Sequence, residues 1–265
     1  MTDLYDGGET KLGHGFWNVM RIADGIEALE LNANAMGRPT VIYPTLIWDD
    51  QTVILVDAGF PGQINAIREA MNKTGVAFEK LNKVILTHQD IDHIGSLPDI
   101  IKELHGKVDV ISHEIERPYI QGDKPLIKMD TQQMRKMAQS MPENSREMFE
   151  QILKNPPKAR VDVTVTDGQE LPLCGGISVI FTPGHTPGHI GLYHKRSKTL
   201  IAGDSLTAAD GKLFGPRPQA AADIEMAIKS LEKYKKYDID VVICYHGGVF
   251  KDHVKQRIEE LIKGN

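Results

Sequence analysis

Short apolar runs separated by turn residues dominate the first third of the chain. Val19–Ile22, Ile26–Leu31, Val41–Trp48 and Thr52–Val56 read as strands, divided by signals such as Asp24-Gly25 and Asp49-Asp50. Helical periodicity then enters. Ile64, Ile67, Ala70 and Met71 share one face of the segment Ile64–Lys73, which stops before Gly75, and Pro98–Leu104, Asp223–Lys236 and His253–Lys263 repeat that pattern. Between them lie the apolar, strand-like runs Lys83–Thr87, Ile177–Phe181, Thr199–Ala202 and Val241–Cys244. Such alternation predicts an α/β sandwich with its sheet inside and its helices outside.

One stretch departs from the alternation. Residues 114–160 are long, charged and helical in pattern, with Met134, Met137 and Met141 on one face until Pro142 breaks the run. That face either packs on the domain or forms a lid in which Met134 and Met137 line an adaptable apolar substrate pocket.

The ends of the apolar runs carry the chemistry. Directly after Lys83–Thr87 come His88, Asp90, Asp92 and His93, four metal-donor side chains within six residues. Imidazole nitrogens and carboxylate oxygens suit first-row divalent ions, and a short loop can aim four donors at two ions about 3.5–4 Å apart. A plain polar loop would use one carboxylate, since Asp92 or Ser96 can cap the helix that follows, but it leaves the other donors without a purpose. Three further runs end the same way. Ile177–Phe181 leads into a Pro- and Gly-rich turn exposing His185, Thr199–Ala202 leads to Asp204, and Val241–Cys244 leads to Tyr245 and His246. Glycine stands beside each donor, where its small size is expected to let backbone approach an ion.

These motifs, from about Val41 to Val249, resemble the metallo-β-lactamase superfamily. The resemblance implies a four-layered αββα sandwich with a dinuclear metal site at one edge. It implies His88, Asp90 and His185 on one metal, Asp92, His93 and His246 on the other, and Asp204 bridging. Asp57, in the run Val53–Gly59, matches the family's early motif and would orient a ligand by hydrogen bonding, although an Asp before a Gly also reads as a turn. Asp90 departs from the pattern, which usually has histidine there. His189 fits the role of a neighbour that orients the following strand, and His14, His105, His113, His194 and His253 have no companion donors.

Composition narrows the partners. The 265 residues are 41% hydrophobic, enough for one large core, and a single domain over 1–265 with a helical insertion at about 114–160 is expected because the donors come from both ends and must meet. A net charge of −5 argues against a nucleic acid partner. The N-terminus lacks a basic segment followed by an apolar core, and no window is apolar for long enough to cross a bilayer. Cys174 and Cys244 have the spacing of neither a disulfide framework nor a cysteine metal site. A cytoplasmic protein acting on a small-molecule substrate, with no membrane partner, is expected, and exposed lid residues would suit a homodimer.

The expected activity is that of a hydrolase whose metal-bound hydroxide attacks an ester, lactone or thioester, with Asp90, Asp92 or Asp204 moving a proton to the leaving group. Two relatives within the superfamily sharpen the comparison. The acyl-homoserine lactonases are similar in length and lid position but place a tyrosine three residues after the bridging aspartate, where this chain has Thr207; Tyr245 is the candidate substitute in the substrate pocket. The diiron flavoproteins carry a carboxylate at the position of Asp90, so an alternative is a diiron redox protein that acts on oxygen or nitric oxide with a separate electron donor.

Two divalent ions bring four positive charges and Asp90, Asp92 and Asp204 return three, one more than a histidine at 90 would allow. This predicts weaker Lewis acidity, a higher pKa for bound water, and a preference for iron or manganese over zinc. Asp90→His should therefore shift metal preference toward zinc and move the basic rise of the pH–rate profile to lower pH. An unchanged profile and preference would refute the electrostatic account.

Overall fold

A computed structural model describes residues 19–35, 38–128, 136, 138, 139 and 143–264. Nine strands come from the first part of the chain: β1 (Val19–Ala23), β2 (Ile26–Leu29), β3 (Leu31–Ala35), β4 (Arg38–Ile42), β5 (Thr45–Trp48), β6 (Val53–Val56), β7 (Lys83–Ile85), β8 (Asp109–His113) and β9 (Val163–Val165). Seven of them form one sheet in the order β1-β2-β5-β6-β7-β8-β9, antiparallel up to β6 and parallel from there. The second sheet uses β10 (Glu170–Leu171), β11 (Ile177–Phe181), β12 (Ile190–His194), β13 (Thr199–Ile201), β16 (Val241–Cys244) and β17 (Gly248–Phe250) in that order. In it only β13 and β16 pair in parallel. The remaining strands form two hairpins, β3 with β4 and β14 (Thr207–Ala209) with β15 (Lys212–Phe214).

Both faces of each sheet are covered, and the period-2 alternation of a strand decides which residue faces which layer. Leu46, Leu55 and Val84 pack outward beneath α1 (Ile64–Lys73) and α3 (Leu97–Glu103), against Ile67, Met71, Leu97 and Ile100. Their neighbours Ile47, Ile54, Val56 and Ile85 face the other way and meet Val179, Leu192, Ile201 and Ile243 of the second sheet. On that sheet's far side Ile180, Leu200 and Val242 pack on Leu231 and Tyr234 of a 3₁₀ turn and on Val254 and Ile258 of the C-terminal helix (Val254–Ile262). Three apolar layers between four structural layers make the fold an αββα sandwich, as expected.

Ile64–Lys73 is helical over the range that the sequence pattern predicts, and Gly75 beyond it takes φ +84°. Two predicted strands are interrupted. Ile26–Leu31 divides at Glu30, because β3 leaves the sheet to pair with β4. Val41–Trp48 divides at Tyr43-Pro44, where proline has no N–H to donate and instead accepts from Leu29 N through its carbonyl. The break turns Tyr43 N toward Tyr245 O, 2.9 Å away, and Ile42 bridges to His246, so the first half of the chain is stitched to the donor-bearing end of the second. Asp223–Lys236 is α-helical over Ile224–Ser230 and continues as a 3₁₀ turn over Leu231–Lys236.

A short helix α2 (Ile91–Ile94) precedes α3, and the insertion beyond β8 contributes α4 (Arg117–Ile120) and α5 (Glu143–Lys154). Ile120 and Leu126 join the core under the first sheet, whereas Ala138, Phe149 and Leu153 form a small cluster of their own. Met134 and Met137 lie outside the described residues.

Adjacent residues that face different layers should both be sensitive to truncation. Ile54→Ala and Leu55→Ala are each expected to cost about 2–5 kcal/mol in urea denaturation. If either costs less than about 1 kcal/mol, one face of the sheet is not covered as described.

Candidate metal centre

The donors sit where four strands end. β7, β11, β13 and β16 each run out into a loop carrying one or more of them, the arrangement that concentrates chemistry at the carboxyl edge of a sheet. His88, His185 and Asp204 offer one set of ligand atoms within 4.8 Å of one another, and Asp92, His93 and His246 offer a second. Asp204 joins the two: Oδ2 lies 3.3 Å from His185 Nε2 and from His246 Nε2, and Oδ1 lies 3.3 Å from His93 Nε2. Asp92 Oδ2 is 3.3 Å from His246 Nε2 and 3.9 Å from His93 Nε2. Asp90 Oδ2 is 3.2 Å from His88 Nε2 and 3.0 Å from His185 Nε2. All seven sequence-derived candidates thus converge.

The chemistry of the donors tests whether an ion fits. His88 Nε2, His93 Nε2 and Asp204 Oδ1 are buried and make no hydrogen bond among the described residues, although each has a polar neighbour within 3.2–3.3 Å. Orphaned buried polar atoms are costly, and three pointing into one small volume are what a bound cation would satisfy. The opposite ring nitrogens are spoken for. His93 Nδ1 is 2.9 Å from Asp57 Oδ2, and His88 Nδ1 is 2.9 Å from Thr87 Oγ1, which itself donates to Asp57 Oδ2 at 2.8 Å. With Nδ1–H donated backwards, each Nε2 keeps its lone pair for the pocket.

Asp57 is therefore more than a turn residue. It adopts φ +65°, a region that Asp tolerates better than most side chains, with its N–H bonded to Ile85 O at 3.0 Å and Ala58 N bonded to His93 O at 2.7 Å. The carboxylate also accepts from Thr87 N at 2.8 Å. His189 is excluded as a ligand because both of its nitrogens are used: Nε2 accepts from Asp204 N at 3.0 Å and Nδ1 pairs with Thr182 Oγ1 at 2.8 Å. It orients the Asp204 loop rather than the next strand.

Glycine beside the donors serves protein packing. At Gly203, φ +52°, a Cβ would sit 2.7 Å from His189 Nε2, and at Gly247, φ +100°, it would sit 1.6 Å from Ala208 O. The approaching groups are a side chain and a carbonyl of the protein, contrary to the expectation that glycine makes room for an ion. Ser96 is also reassigned. Its hydroxyl makes no cap bond, donating to Phe60 O at 2.6 Å and accepting from Gln63 N at 2.9 Å.

Tyr245 does not line a substrate pocket. It is 3% exposed, its ring lies 3.8 Å from that of His93, and its hydroxyl donates to the backbone carbonyl of Asp92. Burial, reinforced by Asp92, Asp57 and Asp204, pushes its phenol well above the ordinary range, so it stays neutral under the second donor group.

Three residues escaped the sequence reading. Glu116 is fully buried and accepts four hydrogen bonds: from Gln89 N and Nε2 at 2.9 Å each on Oε2, and from Thr186 Oγ1 at 2.8 Å and Gly188 N at 2.7 Å on Oε1. It ties the His88–His93 loop to the His185 loop. Lys128 Nζ lies 2.6 Å from both Asp90 Oδ2 and His185 Nε2. Arg217 Nη2 is 3.8 Å from Asp204 Oδ2 on a half-exposed side chain. Each stands alone in the sequence, without a motif to mark it.

Electrostatics polarise the two groups. Burial, then His93, holds His88 well below the ordinary histidine range, which keeps it neutral. Burial acts the same way on His246, but Asp204 and Asp92 outweigh it and lift that histidine to about 9. Burial alone would raise the Asp204 pKa; His246, His185 and His93 instead pull it well below the carboxylate range.

Residues 37–246 match the model of the metallo-beta-lactamase superfamily. The chain belongs to that superfamily. The probable metallo-hydrolase YflN of Bacillus subtilis (strain 168) is 29% identical over 223 residues, spanning 78% of this chain and 80% of that protein. The fold is shared with a metallo-beta-lactamase family protein from Thermus thermophilus, at TM-score 0.68 and 22% identity over 92% of this chain and 80% of the other. It is also shared with a flavo di-iron protein mutant from Thermotoga maritima, at TM-score 0.67 and 15% identity over 93% of this chain and 61% of the longer one. Family membership agrees with the donor set, and no helix among the described residues is long and apolar enough to cross a membrane.

Glu116→Gln keeps the shape of the side chain and turns one acceptor into a donor facing donors. It should lower stability by about 2–4 kcal/mol and reduce metal retained after dialysis, since both donor loops lose a shared anchor. Unaltered melting and metal content would show that the loops do not depend on Glu116.

Proposed function

We propose that the chain is a dinuclear metal-dependent hydrolase of small molecules carrying an ester, lactone or thioester bond. The observation that carries this reading is the convergence of unpaired His88 Nε2, His93 Nε2 and Asp204 Oδ1 in a pocket ringed by four further donors. His88, His185 and Asp90 would hold one ion, Asp92, His93 and His246 the other, with Asp204 between them. Bound there, the ions supply Lewis acidity and lower the pKa of water enough for attack near neutral pH.

The chain's own residues divide the remaining work. Asp204 is buried among histidines and Asp90 is paired with Lys128, whereas Asp92 keeps 17% of its side chain exposed and has no lysine or arginine partner among the described residues. Asp92 is therefore the carboxylate best placed to hold a proton and pass it to a leaving group. Arg217, half exposed beside Asp204, is placed to meet the carbonyl oxygen or an acidic group of the substrate. Esters, lactones and thioesters pass through the same kind of oxyanion, so choice among them belongs to the walls around the centre. Zinc, iron and manganese all suit this set of nitrogen and oxygen donors.

The test is hydrolysis of an aryl ester, a lactone and a thioester by chelator-treated protein before and after reloading with zinc, manganese or iron. Turnover should appear only on reloading, and Asp204→Asn should lower it by about 10²-fold or more. Equal turnover without metal would overturn the proposal. Two irons with oxygen consumption from an added electron donor and no hydrolysis would transfer it to the diiron redox reading that Asp90 raises.

A further inference from the structure

Lys128 enters the first donor group from a backbone that is itself held. Leu126 is buried in the core under the first sheet, and Ile127 N donates to Gln89 Oε1 at 2.8 Å. Gln89 is buried, stands between His88 and Asp90 in sequence, and passes its own amide N–H to Glu116 Oε2 at 2.9 Å. The residue between two candidate ligands therefore anchors the segment that delivers Lys128. Its ammonium then meets Asp90 Oδ2 and His185 Nε2, each at 2.6 Å.

That placement makes the two donor groups unequal. In the first group, Lys128 donates to the His185 nitrogen and to the Asp90 carboxylate, so two donors are already engaged by a cation. In the second group, no lysine or arginine among the described residues lies within ion-pair distance of Asp92 or His93 or His246. Charge balance points the same way. With the histidines neutral, as ion binding requires, Asp57, Asp90, Asp92 and Asp204 bring four negative charges, and Lys128 and the half-exposed Arg217 return two. One divalent ion cancels the remainder, while a second leaves a double positive excess in a buried site unless the ammonium departs.

We propose, resting on the reading of this site as a metal centre, that Lys128 is a resident cation standing in for an ion in the first pocket. The chain then holds one divalent ion tightly between Asp92, His93, His246 and Asp204, and takes a second only by displacing Lys128 from Asp90 and His185.

The experiment is a calorimetric titration of the chelator-treated full chain with zinc chloride, with bound zinc counted by elemental analysis after dialysis. The unaltered protein should show one tight site and a second weaker by about tenfold or more. Lys128→Met should strengthen the second site by about tenfold or more and leave the first unchanged. Lys128→Gln, neutral but polar, should do the same and guards against a folding defect peculiar to methionine, while Lys128→Arg should keep the inequality. Two equal sites in the unaltered protein, or a second site that neither neutral variant strengthens, would overturn the role of Lys128 and leave the metal centre standing. Failure of every protein to retain zinc, manganese or iron would instead overturn the metal-centre reading and the assignment with it.

Discussion

Concentrating like charge in a dry place is the constraint on which this structure depends. Asp90, Asp92 and Asp204 come together at the edge of two sheets, with Asp57 directly behind them, and Asp204 is almost fully buried. Carboxylates in such surroundings would take up protons or force the loops apart unless cations and donors faced them. The histidines, Lys128 and Arg217 supply part of that compensation. Thr87 and the strained backbone of Asp57 supply more, by presenting hydroxyl and amide donors where water cannot reach.

Rigidity follows from the same arrangement. A donor is useful to an ion only if its lone pair points inward, and here the direction is set one bond behind each ring, by Asp57 for His93 and by Thr87 for His88. His189 performs this service for a backbone, fixing the Asp204 loop through Asp204 N. Glu116 does it for two loops at once, and its burial raises its pKa against the opposing pull of Thr186, Gln89 and Gly188. The donor rings and the loops that carry them are thus held from behind by hydrogen bonds.

The sequence exposed the donors and Asp57 behind them, and concealed the rest of what holds them. His88, Asp90, Asp92 and His93 are adjacent in sequence, and His185, Asp204 and His246 each follow a clear apolar strand, so local pattern was sufficient to find them. The layered fold was legible for a similar reason, since alternation along Ile54, Leu55 and Val56 already implies two buried faces. Glu116, Lys128 and Arg217 were not legible because their partners lie 27 to 72 residues away from Glu116, 38 and 57 from Lys128, and 13 from Arg217, with no repeated spacing between them. Tyr245 failed differently. A tyrosine next to a ligand looks like a pocket wall until packing shows its hydroxyl bonded to Asp92 O beneath the His93 ring. The strand divisions at Glu30 and Tyr43-Pro44 depended on which neighbour each segment would find.

The split of the chain between its two sheets carries a further consequence. The first sheet is finished by β9 and the second begins with β10, so the backbone passes from one to the other once, between Val165 and Glu170. Four donors lie before that crossing and three after it, and neither portion contains a complete pocket. A portion by itself would leave the inner face of its sheet uncovered and would present only part of the donor set. The seven candidate donors face one another only once the two portions have docked in register, so the site is a product of their assembly and belongs to neither sheet alone.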